Sequence, residues 1–432
     1  MDPHHALPDD DPRDAVTGLP GADAVRRRLD DWREAGGETS VHALLLGLRR
    51  IDALNLAYGA ASGDGVLAEV AARIAHFAAD ELDGPSLVAR AGGGAFLVLA
   101  SEPCSRERWQ LFAEQLARVV SAPVGVPGGL VNLSPRLALV RALAGEEAES
   151  LLDRLGQTLE GALRQSGRRI AWADGETTRA GRTSARLEAD LLRAIGRGEI
   201  EVLYQPQYRC ADDGLCGAEA LARWNHPRLG RIGAGALFAI AERADHVVPL
   251  SRHIAALALS GAQAWPAGLR LSVNVTPAEL AVAGHGEELA RMIAASGFDP
   301  ARLTLEVTEQ ALLADIQLAR ATLGELAGQG IAIALDDFGA GFCNFRYLKL
   351  LPLACLKLDR TMIDGVADDP RDLAVLRGIV AMARALDLDV VAEGVESEAQ
   401  RAMVAAEGCA SYQGFLRAAP MSVQAFGALA AG

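Results

Sequence analysis

Hydrophobic and polar positions in the first part of the chain follow two patterns, one typical of strands and one typical of helices. Residues 41–49 and 86–100 are short, mainly apolar runs, whereas residues 65–82 place apolar side chains at helical spacing. This mixture extends from about residue 13 to residue 172 and predicts an α/β domain there. Residues 1–12 are acidic and Pro-rich without an apolar core, so we predict a disordered tail.

Residues 173–186 are rich in Gly, Thr and Arg and show no periodicity, so we predict that they form a linker. The pattern of hydrophobic and polar positions changes after this stretch. From residue 187 to residue 432, short apolar runs alternate with helix-like segments. The strand candidates are residues 200–206, 216–224, 269–277, 302–309, 331–339, 354–360, 389–396 and 409–416. Eight strands separated by crossover helices predict a parallel, TIM-like (β/α)8 barrel, so the whole chain is assigned to the α/β class.

Composition and charge restrict the ligands that this chain can hold. Half of the 432 residues are hydrophobic and 23% are charged, which is typical of globular proteins and suits two domains with separate cores. The 56 Asp and Glu outnumber the 42 Lys and Arg, and the net charge of −14 disfavours a nonspecific grip on DNA or RNA. An anionic ligand must therefore be held by metal ions or by local Arg and Lys side chains.

Cysteine usage and hydropathy indicate the compartment. The six cysteines form no CxxC pair and no dense framework, so we expect reduced thiols rather than disulfides or a zinc site. The N-terminal residues do not resemble a signal peptide, and no apolar run approaches the roughly 20 residues that span a bilayer. We therefore expect a cytoplasmic protein without a membrane span.

Nearly every predicted barrel strand carries a polar side chain at or near its C-terminal end. These residues are Gln205, Glu219, Asn274, Glu306, Asp336, Asp337, Lys357, Glu393 and Gln413. Taken singly, each is more often a helix cap or a solvated charge than a functional group. In a (β/α) barrel, however, these ends converge on the face where such enzymes place their chemistry, and solvated charges have no reason to choose it repeatedly. The pattern therefore predicts one site.

Two adjacent carboxylates, Asp336 and Asp337, end an apolar run just before a Gly-Ala-Gly turn. Neighbouring negative charges repel each other and lose hydration in such a place, so a divalent cation is the expected compensation. Oxygen ligands such as Glu219, Asn274 and Glu306 suit Mg²⁺ or Mn²⁺, and an Asp pair lets one carboxylate bridge two ions. Two such ions can polarise a phosphodiester and generate hydroxide from bound water, and their charge would offset that of the Asp pair.

The second half of the chain resembles the EAL-domain cyclic di-GMP phosphodiesterases. The motifs that carry the resemblance stand in order: EALARW at 219–224, NVTP at 274–277, LEVTE at 305–309, DDFGAGF at 336–342, KLD at 357–359, EGVE at 393–396 and QGF at 413–415. The resemblance implies hydrolysis of cyclic di-GMP to linear pGpG with two Mg²⁺ or Mn²⁺ ions. It also implies a homodimer formed through the EAL domain.

The resemblance further implies a role for each charged residue. The residues implied to hold the two cations are Glu219, Asn274, Glu306, Asp336 and Asp337, with Asp336 shared between them. Glu393 is the candidate general base or a further contact of the second cation, and Lys357 would orient the attacking water and stabilise developing negative charge. An ion pair with Asp359 or Glu396 is the structural alternative for Lys357, and both roles can coexist. Asp359 and Glu396 are themselves candidates for orienting the loops.

Substrate contacts are expected around the carboxylates. Arg223, two residues beyond Leu221 and on the same side of the strand, is placed to reach a substrate phosphate with its planar guanidinium. Gln205 and Gln413 offer amides for a guanine edge, and the family uses the former in this way, although bonding to loop backbone is the alternative for Gln205. Glu309 resembles the family's anchor for the loop that follows the Asp pair.

The first domain resembles a GGDEF domain, the module that makes cyclic di-GMP from GTP on a mixed sheet flanked by helices. The segments that carry this resemblance are residues 14–20, 46–64 and 90–96. Where the family has acidic residues for catalysis, this chain has Gly94 and Ala95, and Gly47 replaces an acidic metal ligand. Without those carboxylates nothing obvious holds Mg²⁺, so we predict no diguanylate cyclase activity.

Two positions that contact guanine in the GGDEF family, Asn55 and Asp64, are retained here. The Gly-rich turn between residues 92 and 94 offers backbone N–H groups to a phosphate, although such a turn is more often a simple hairpin. We hypothesise that GTP binding to this degenerate domain raises the activity of the barrel.

Two other functions remain open at this point. A noncatalytic cyclic di-GMP receptor that acts through a protein partner would keep base-binding groups but has no need of the complete set of oxygen ligands found here. A barrel metalloenzyme that acts on another phosphodiester would share the metal chemistry and differ only in its substrate pocket.

Overall fold

The computed structural model describes residues 13–34, 41–49, 51–82, 84–102, 104–127, 129–143, 146–164, 169–173, 180–282, 284–308, 316–339 and 346–431. Its contacts divide the chain into two compact units, Met1–Leu191 with Trp224–Arg243, and Leu192–Arg223 with Ala244–Gly432. Each unit has its own hydrophobic core. Among the described helices, none is both long and apolar enough to cross a membrane.

The elements before residue 174 are α1 (Ala22–Glu34), β1 (Val41–Gly47), α2 (Ile51–Tyr58), α3 (Ala60–Glu81), β2 (Ser86–Gly92), β3 (Ala95–Ser101), α4 (Arg106–Ser121), β4 (Val124–Val126), β5 (Gly129–Val131), β6 (Arg136–Arg141), α5 (Ala148–Arg164) and β7 (Ile170–Trp172).

The elements after residue 179 are α6 (Ala180–Arg197), β8 (Ile200–Arg209), β9 (Leu215–His226), β10 (Gly230–Ile232), α7 (Ala234–Arg243), α8 (Val247–Ala262), β11 (Arg270–Asn274), α9 (Pro277–Leu280), α10 (His285–Ser296), β12 (Leu303–Thr308), α11 (Ile316–Ala327), β13 (Ala332–Phe338), α12 (Arg346–Leu350), β14 (Cys355–Leu358), α13 (Pro370–Ala385), β15 (Asp389–Ala392), α14 (Glu398–Glu407), β16 (Ser411–Tyr412) and α15 (Val423–Ala431). Short 3-10 turns cover Pro300–Arg302 and Arg360–Met362.

The first unit contains a mixed five-stranded sheet in the order β2-β3-β1-β6-β7. β1 runs antiparallel to β3 and β6, whereas β6 and β7 are parallel, which confirms the mixed α/β fold. Strand β1 alternates its side chains between two cores: Leu44 and Leu46 pack on one face of the sheet, and Ala43 packs on the other. The Gly-rich turn lies between β2 and β3, where Gly92 and Gly93 adopt positive φ angles, so this stretch is a hairpin.

A buried ion pair holds residues far apart in sequence together within this unit. Arg108 Nη2 lies 3.0 Å from Glu81 Oε2, and both side chains are almost completely buried. The Glu81 carboxylate also accepts hydrogen bonds from the backbone N–H groups of Gly233 (3.1 Å) and Ala236 (2.9 Å), at the start of α7. A carboxylate at this place satisfies N–H groups that a helix leaves unpaired and interacts favourably with the helix dipole. The Glu81 carboxylate therefore joins α3, α4 and α7.

The second unit confirms the predicted barrel. Eight strands close into a ring in the order β9-β11-β12-β13-β14-β15-β16-β8, because β8 also pairs with β9, and β10 extends β9 outside the ring. Side chains alternate along each strand: Leu305 belongs to the core outside the ring, whereas Thr304 and Glu306 line an internal cavity of about 140 Å³. The inward positions are mostly polar or small, so the ring can hold charged groups inside.

Two local features differ from the sequence prediction. Strand β8 runs antiparallel to β16, so the barrel is not wholly parallel. Only residues 210–214 join β8 to β9, which is too short for a crossover helix and permits only a hairpin-like reversal. The stretch predicted as a linker is also partly ordered, since α6 begins at Ala180 and packs Leu187 and Leu191 into the interior. Residues 174–179 lie outside the described residues.

Candidate active site

Parallel strand register brings three predicted ligands to the same level of the barrel. Glu219 on β9 lies beside Ser272 of β11, and Asn274, two residues farther on, is the register partner of Glu306 on β12. Alternation along each strand turns these side chains into the ring. Asn274 Nδ2 donates a hydrogen bond of 2.9 Å to Glu219 Oε1, which leaves its Oδ1 as the atom available to a cation.

Lys357 lies among four carboxylates, three on different strands and one, Glu393, directly after β15. Its Nζ is 2.7 Å from Glu393, 2.8 Å from Glu306, 3.0 Å from Asp336 and 3.3 Å from Glu219. Lys357 is 1% exposed and is one of only two lysines in a chain that otherwise uses arginine as its cation. A compact ammonium with three donors fits between several carboxylates where a planar guanidinium would not.

One buried cation does not balance this much negative charge. Burial, together with repulsion from neighbouring carboxylates, raises the pKa of Glu306 and of Glu393 well above the usual value. Burial and the Glu219 carboxylate likewise raise the pKa of Asp336, although Lys357 opposes the shift. Burial alone would lower the pKa of Lys357, but the carboxylates around it raise that pKa well above the usual value. The cluster therefore has the electrostatics of a cation site.

The carboxylates form two groups that share one member. Ligand oxygens of Glu219, Glu306 and Asp336 lie within 4.8 Å of one another, and so do those of Asp336, Asp337 and Glu393. Glu306 Oε1 is buried and has no hydrogen-bond partner among the described residues, so a bound cation would satisfy an otherwise unpaired acceptor. Both observations fit hard divalent cations bound by oxygen, with Asp336 able to bridge two of them.

A distortion of β13 brings consecutive carboxylates to one place. Side chains of adjacent residues in a regular strand point to opposite faces. The pairing of β13 with β14 shifts register between Leu335 and Phe338, and Asp337 has a φ angle of 55°, in the left-handed region. The bulge turns Asp337 towards Asp336 and Glu393, so the strained backbone serves the geometry of the site.

A chain of amides supports the carboxylates from one side. Gln207 Nε2 donates to Gln413 Oε1 (2.9 Å), and Gln413 Nε2 donates to Glu219 Oε2 (2.7 Å) and to Glu393 Oε1 (3.0 Å). Gln413 therefore touches the carboxylates directly, and its predicted contact with a guanine edge stays a prediction. Sequence reasoning missed Gln207, although its spacing of two residues from Gln205 places it on the same face of β8.

The predicted substrate contacts lie on β9, which carries Glu219, and on β8, which pairs with it. Leu221 and Arg223 follow Glu219 at intervals of two on β9, so the three side chains share a face of the strand. Arg223 is buried, and its Nη1 donates to the carbonyl oxygen of Ala222 at 2.9 Å. Gln205 is half-buried on β8.

The residues predicted to orient the loops have other partners than expected. Asp359 caps the 3-10 turn that follows β14, where its Oδ1 accepts from Thr361 N at 2.9 Å. Glu396 pairs with Arg360 at 2.7 Å. Among the described residues, Lys357 forms its ion pairs with the four cluster carboxylates and not with Asp359 or Glu396, because the inward face of β14 meets the neighbouring strands. Glu309 lies outside the described residues.

The first unit places its altered positions side by side. Gly47 at the end of β1 is the register partner of Ala95 at the start of β3, and Leu48 N donates to Gly94 O at 2.8 Å. A Cβ atom on Gly47 would lie 3.0 Å from a methyl carbon of Leu159. The facing ends of β1 and β3 thus carry Gly47 and Ala95, neither of which has a polar side chain.

The two retained positions of the first unit lie on neighbouring helices. Asn55 is half-buried on α2, and Asp64 is exposed on α3. Asn55 Oδ1 is buried and has no hydrogen-bond partner among the described residues. It packs against Gly63, where the Cβ atom of any other residue would collide with it.

Comparison with known proteins assigns both parts of the chain to families. The EAL domain model matches residues 188–420, and the model for the GGDEF domain of diguanylate cyclases matches residues 12–169. Two Pseudomonas aeruginosa proteins are similar over 95% of this chain. They are the bifunctional diguanylate cyclase/cyclic di-GMP phosphodiesterase MucR (31% identity, 60% of its length) and the cyclic di-GMP phosphodiesterase NbdA (29% identity, 53% of its length).

A solved structure supports the assignment of the barrel. The PaMucR phosphodiesterase in complex with cyclic di-GMP superposes with a TM-score of 0.53 at 35% identity, covering 56% of this chain and 99% of that one. The chain spans about half to two thirds of the length of the curated relatives that it matches. The chain belongs to the EAL-domain family, and a GGDEF domain precedes its EAL domain.

Proposed function

We propose that this protein hydrolyses cyclic di-GMP to linear pGpG with two divalent cations, Mg²⁺ or Mn²⁺. The observation that carries the proposal is the pair of three-carboxylate groups that share Asp336. A receptor that only binds a nucleotide gains nothing from keeping so many acidic groups buried around one lysine, because each costs free energy unless a cation compensates it.

The cation ligands follow from the two groups. Glu219, Glu306, Asp336 and Asn274 would hold one ion, and Asp336, Asp337 and Glu393 the other. When bound, such ions withdraw charge from the phosphodiester and make a neighbouring water more acidic. Hydrolysis then forms a bond between the water oxygen and phosphorus and breaks the bond from phosphorus to the 3′ oxygen, which leaves with a proton.

Lys357 and Glu393 act beside the reacting atoms. The Glu393 carboxylate would accept the proton of the attacking water, and its contacts with Lys357 and Gln413 hold it in one orientation. The ammonium of Lys357 would offset negative charge that develops on the phosphate oxygens, and its position is fixed by the carboxylates before substrate arrives.

Leu221, Arg223 and Gln205 would contact the substrate. Arg223 carries a planar cation suited to a phosphate, on the same strand face as Glu219. Gln205 carries an amide suited to the edge of guanine. We therefore expect Arg223→Ala and Gln205→Ala to raise KM more than they lower kcat.

The first domain is proposed to be a regulator without cyclase activity. The support is the Gly47–Ala95 register pair, since the side chains at these strand ends offer no oxygen ligand for Mg²⁺. GTP bound at the retained Asn55 and Asp64 would raise the activity of the EAL domain. Unchanged kinetics of cyclic di-GMP hydrolysis across a titration with GTP would contradict this regulatory role. Formation of cyclic di-GMP from GTP would contradict the proposed absence of cyclase activity.

The decisive experiment compares cyclic di-GMP turnover by the full chain with turnover by Glu219→Ala and Asp336→Asn, each with Mg²⁺ or Mn²⁺. Release of pGpG that disappears in both variants is expected. Tight binding without turnover would instead indicate a receptor that acts through a partner. Faster turnover of a linear or noncyclic phosphodiester would indicate a different substrate for the same cation site.

We further propose a cytoplasmic location and a homodimer formed through the EAL domain. The homodimer rests on the family resemblance alone. The location rests on the reduced thiols of the described cysteines, which are Cys104, Cys210, Cys216, Cys355 and Cys409. Sedimentation of the purified chain tests the oligomeric state.

A further inference from the structure

A second buried carboxylate network lies shortly after Asn274 in the chain, and among the described residues its hydrogen bonds do not reach the cluster carboxylates. Its centre is Glu279 on the short helix α9, only 3% exposed. Glu279 Oε2 accepts from Ser251 Oγ (2.7 Å), from Thr276 N (2.8 Å) and from Thr276 Oγ1 (2.9 Å). On its other side, Oε1 lies 3.4 Å from His285 Nε2. One carboxylate thus joins the starts of α9 and α10 to α8.

The segment that this network holds is the one that carries Asn274. Thr276 follows Asn274 by two residues and is the N-cap of α9. Between them, Val275 N donates to the carbonyl oxygen of Glu306 at 2.8 Å, so the segment is also tied to the strand of a second ligand. Asn274 is the amide ligand of the proposed cation site and makes its hydrogen bond to Glu219.

The Glu279 carboxylate has more partners than a helix cap requires. In a capping box the residue at N3 needs only one acceptor for the backbone N–H of the N-cap residue, and Gln400 performs that task for α14 with an amide. Glu279 also binds Ser251, on a different helix 28 positions earlier in the chain, and faces the buried ring of His285. A helix of four residues gains little by itself from such a set of partners.

We propose that Glu279 is a positioning residue for the cation site: it fixes the segment from Asn274 to Thr276 against α8 and α10, so that Asn274 presents its Oδ1 to the cation. This inference rests on the proposed function, because it assumes that Asn274 is a ligand. Partners that orient metal ligands from behind typically change metal affinity by about 10–100-fold when they are removed.

The test measures cation binding without substrate and then turnover. Mn²⁺ is titrated by calorimetry into the full chain, into Glu279→Ala, into Glu279→Gln and into Ser251→Ala. Asp299→Ala is the matched control, because Asp299 also accepts a hydrogen bond from a backbone N–H at a turn, but at the N-terminal side of β12, away from the site. The thermal midpoint of each protein is recorded alongside.

Glu279→Ala is expected to weaken Mn²⁺ binding by about tenfold or more and to raise the Mn²⁺ concentration for half-maximal turnover equally. Glu279→Gln keeps an acceptor for Thr276 and should recover most of the loss. Asp299→Ala should lower the thermal midpoint without changing Mn²⁺ affinity. If Glu279→Ala does not fold, Ser251→Ala decides, with a smaller loss of affinity in the same direction.

Mn²⁺ affinity within twofold of the unsubstituted chain in both Glu279→Ala and Ser251→Ala would overturn the inference, whatever their thermal midpoints. Failure of the proposed function has a different signature, since the unsubstituted chain itself would then bind no Mn²⁺ or release no pGpG.

Discussion

Gln207 Nε2 and Gln413 Oε1 are joined by a buried hydrogen bond of 2.9 Å between two strands that run in opposite directions. The bond fixes which end of the Gln413 amide faces the cluster, because Oε1 is engaged and Nε2 must then point at Glu219 and Glu393. Gln207 thereby orients two carboxylates that it does not touch.

Substitution of Gln207 by Met, which has a similar size, should therefore affect both stability and turnover. Gln413 Oε1 would lose its partner, which lowers the free energy of unfolding by about 1–3 kcal/mol. The freed amide would hold Glu219 and Glu393 less firmly, so we expect kcat to fall by about tenfold. Urea denaturation and turnover of cyclic di-GMP measure the two effects.

Gln205→Met is the matched control for this prediction, since Gln205 lies two positions away on the same strand face and is only half-buried. It should change the free energy of unfolding by less than about 0.5 kcal/mol. Equal destabilisation by the two substitutions would contradict the role of the amide chain.

Lys357→Met should destabilise the cation-free protein strongly. The substitution removes the one ammonium that contacts Glu219, Glu306, Asp336 and Glu393, and breaking a buried ion pair by removing one partner costs about 3–5 kcal/mol. Added Mn²⁺ should restore part of the stability, because it supplies positive charge to the same carboxylates. Turnover should not recover, since Lys357 is also proposed to offset negative charge on the substrate phosphate.

The only other lysine of the chain provides the control. Lys349 is exposed on α12, and Lys349→Met should change the free energy of unfolding by less than about 0.5 kcal/mol. Urea midpoints measured with chelator and with Mn²⁺ test both substitutions. Similar midpoints for the two variants with chelator would contradict the electrostatic role of Lys357.

Divalent cations should stabilise the folded chain, and Asp336 should be necessary for this effect. Mn²⁺ at a hundredfold excess over its dissociation constant adds about 2.7 kcal/mol per site to the free energy of unfolding. Asp336→Asn weakens both carboxylate groups at once, because Asp336 belongs to each. We therefore expect the gain in thermal midpoint with Mn²⁺ to disappear in this variant.

Asp389→Asn serves as the control for the same measurement. Asp389 is the first residue of β15 and is exposed, whereas the cluster lies where the strands end. It should keep the full gain with Mn²⁺. A gain that survives in Asp336→Asn would place the cation elsewhere.

Much of the site was predictable because strand geometry is regular. Polar residues at successive strand ends must converge in a barrel, so the pattern alone predicted that Glu219, Glu306 and Asp336 lie on one face. Their assignment as ligands of one cation came from the family resemblance. The same regularity identifies Gln207 once Gln205 is considered inward-facing, so that omission was avoidable. The bulge that turns Asp337 beside Asp336 was not predictable, since a register shift depends on the partner strand β14.

Contacts between residues far apart in the chain could not be predicted from the sequence, for a different reason. The partners of Lys357 lie on three other strands and directly after a fourth, so its nearest carboxylates in sequence, such as Asp359, were misleading. The direction of β8 depends on the short connection between β8 and β9, which leaves no room for a crossover helix. Counting apolar runs identifies the strands but does not consider the lengths of their connections. The pairing of Glu81 with Arg108 and α7 leaves no periodic signal, because it involves single side chains separated by many residues.

The buried pair in the first unit gives a prediction that does not depend on catalysis. Glu81→Ala leaves Arg108 without its carboxylate and removes the acceptor of the Gly233 and Ala236 N–H groups, so we expect a loss of about 3–5 kcal/mol in the free energy of unfolding. Glu69→Ala, on the same helix, removes only a partly exposed pair with Arg73 and should cost less than about 1 kcal/mol. Urea denaturation followed by tryptophan fluorescence compares them, because Trp109 lies next to Arg108 in the chain and is buried. Equal losses in the two variants would mean that the Glu81 carboxylate does not hold α7 to α3 and α4.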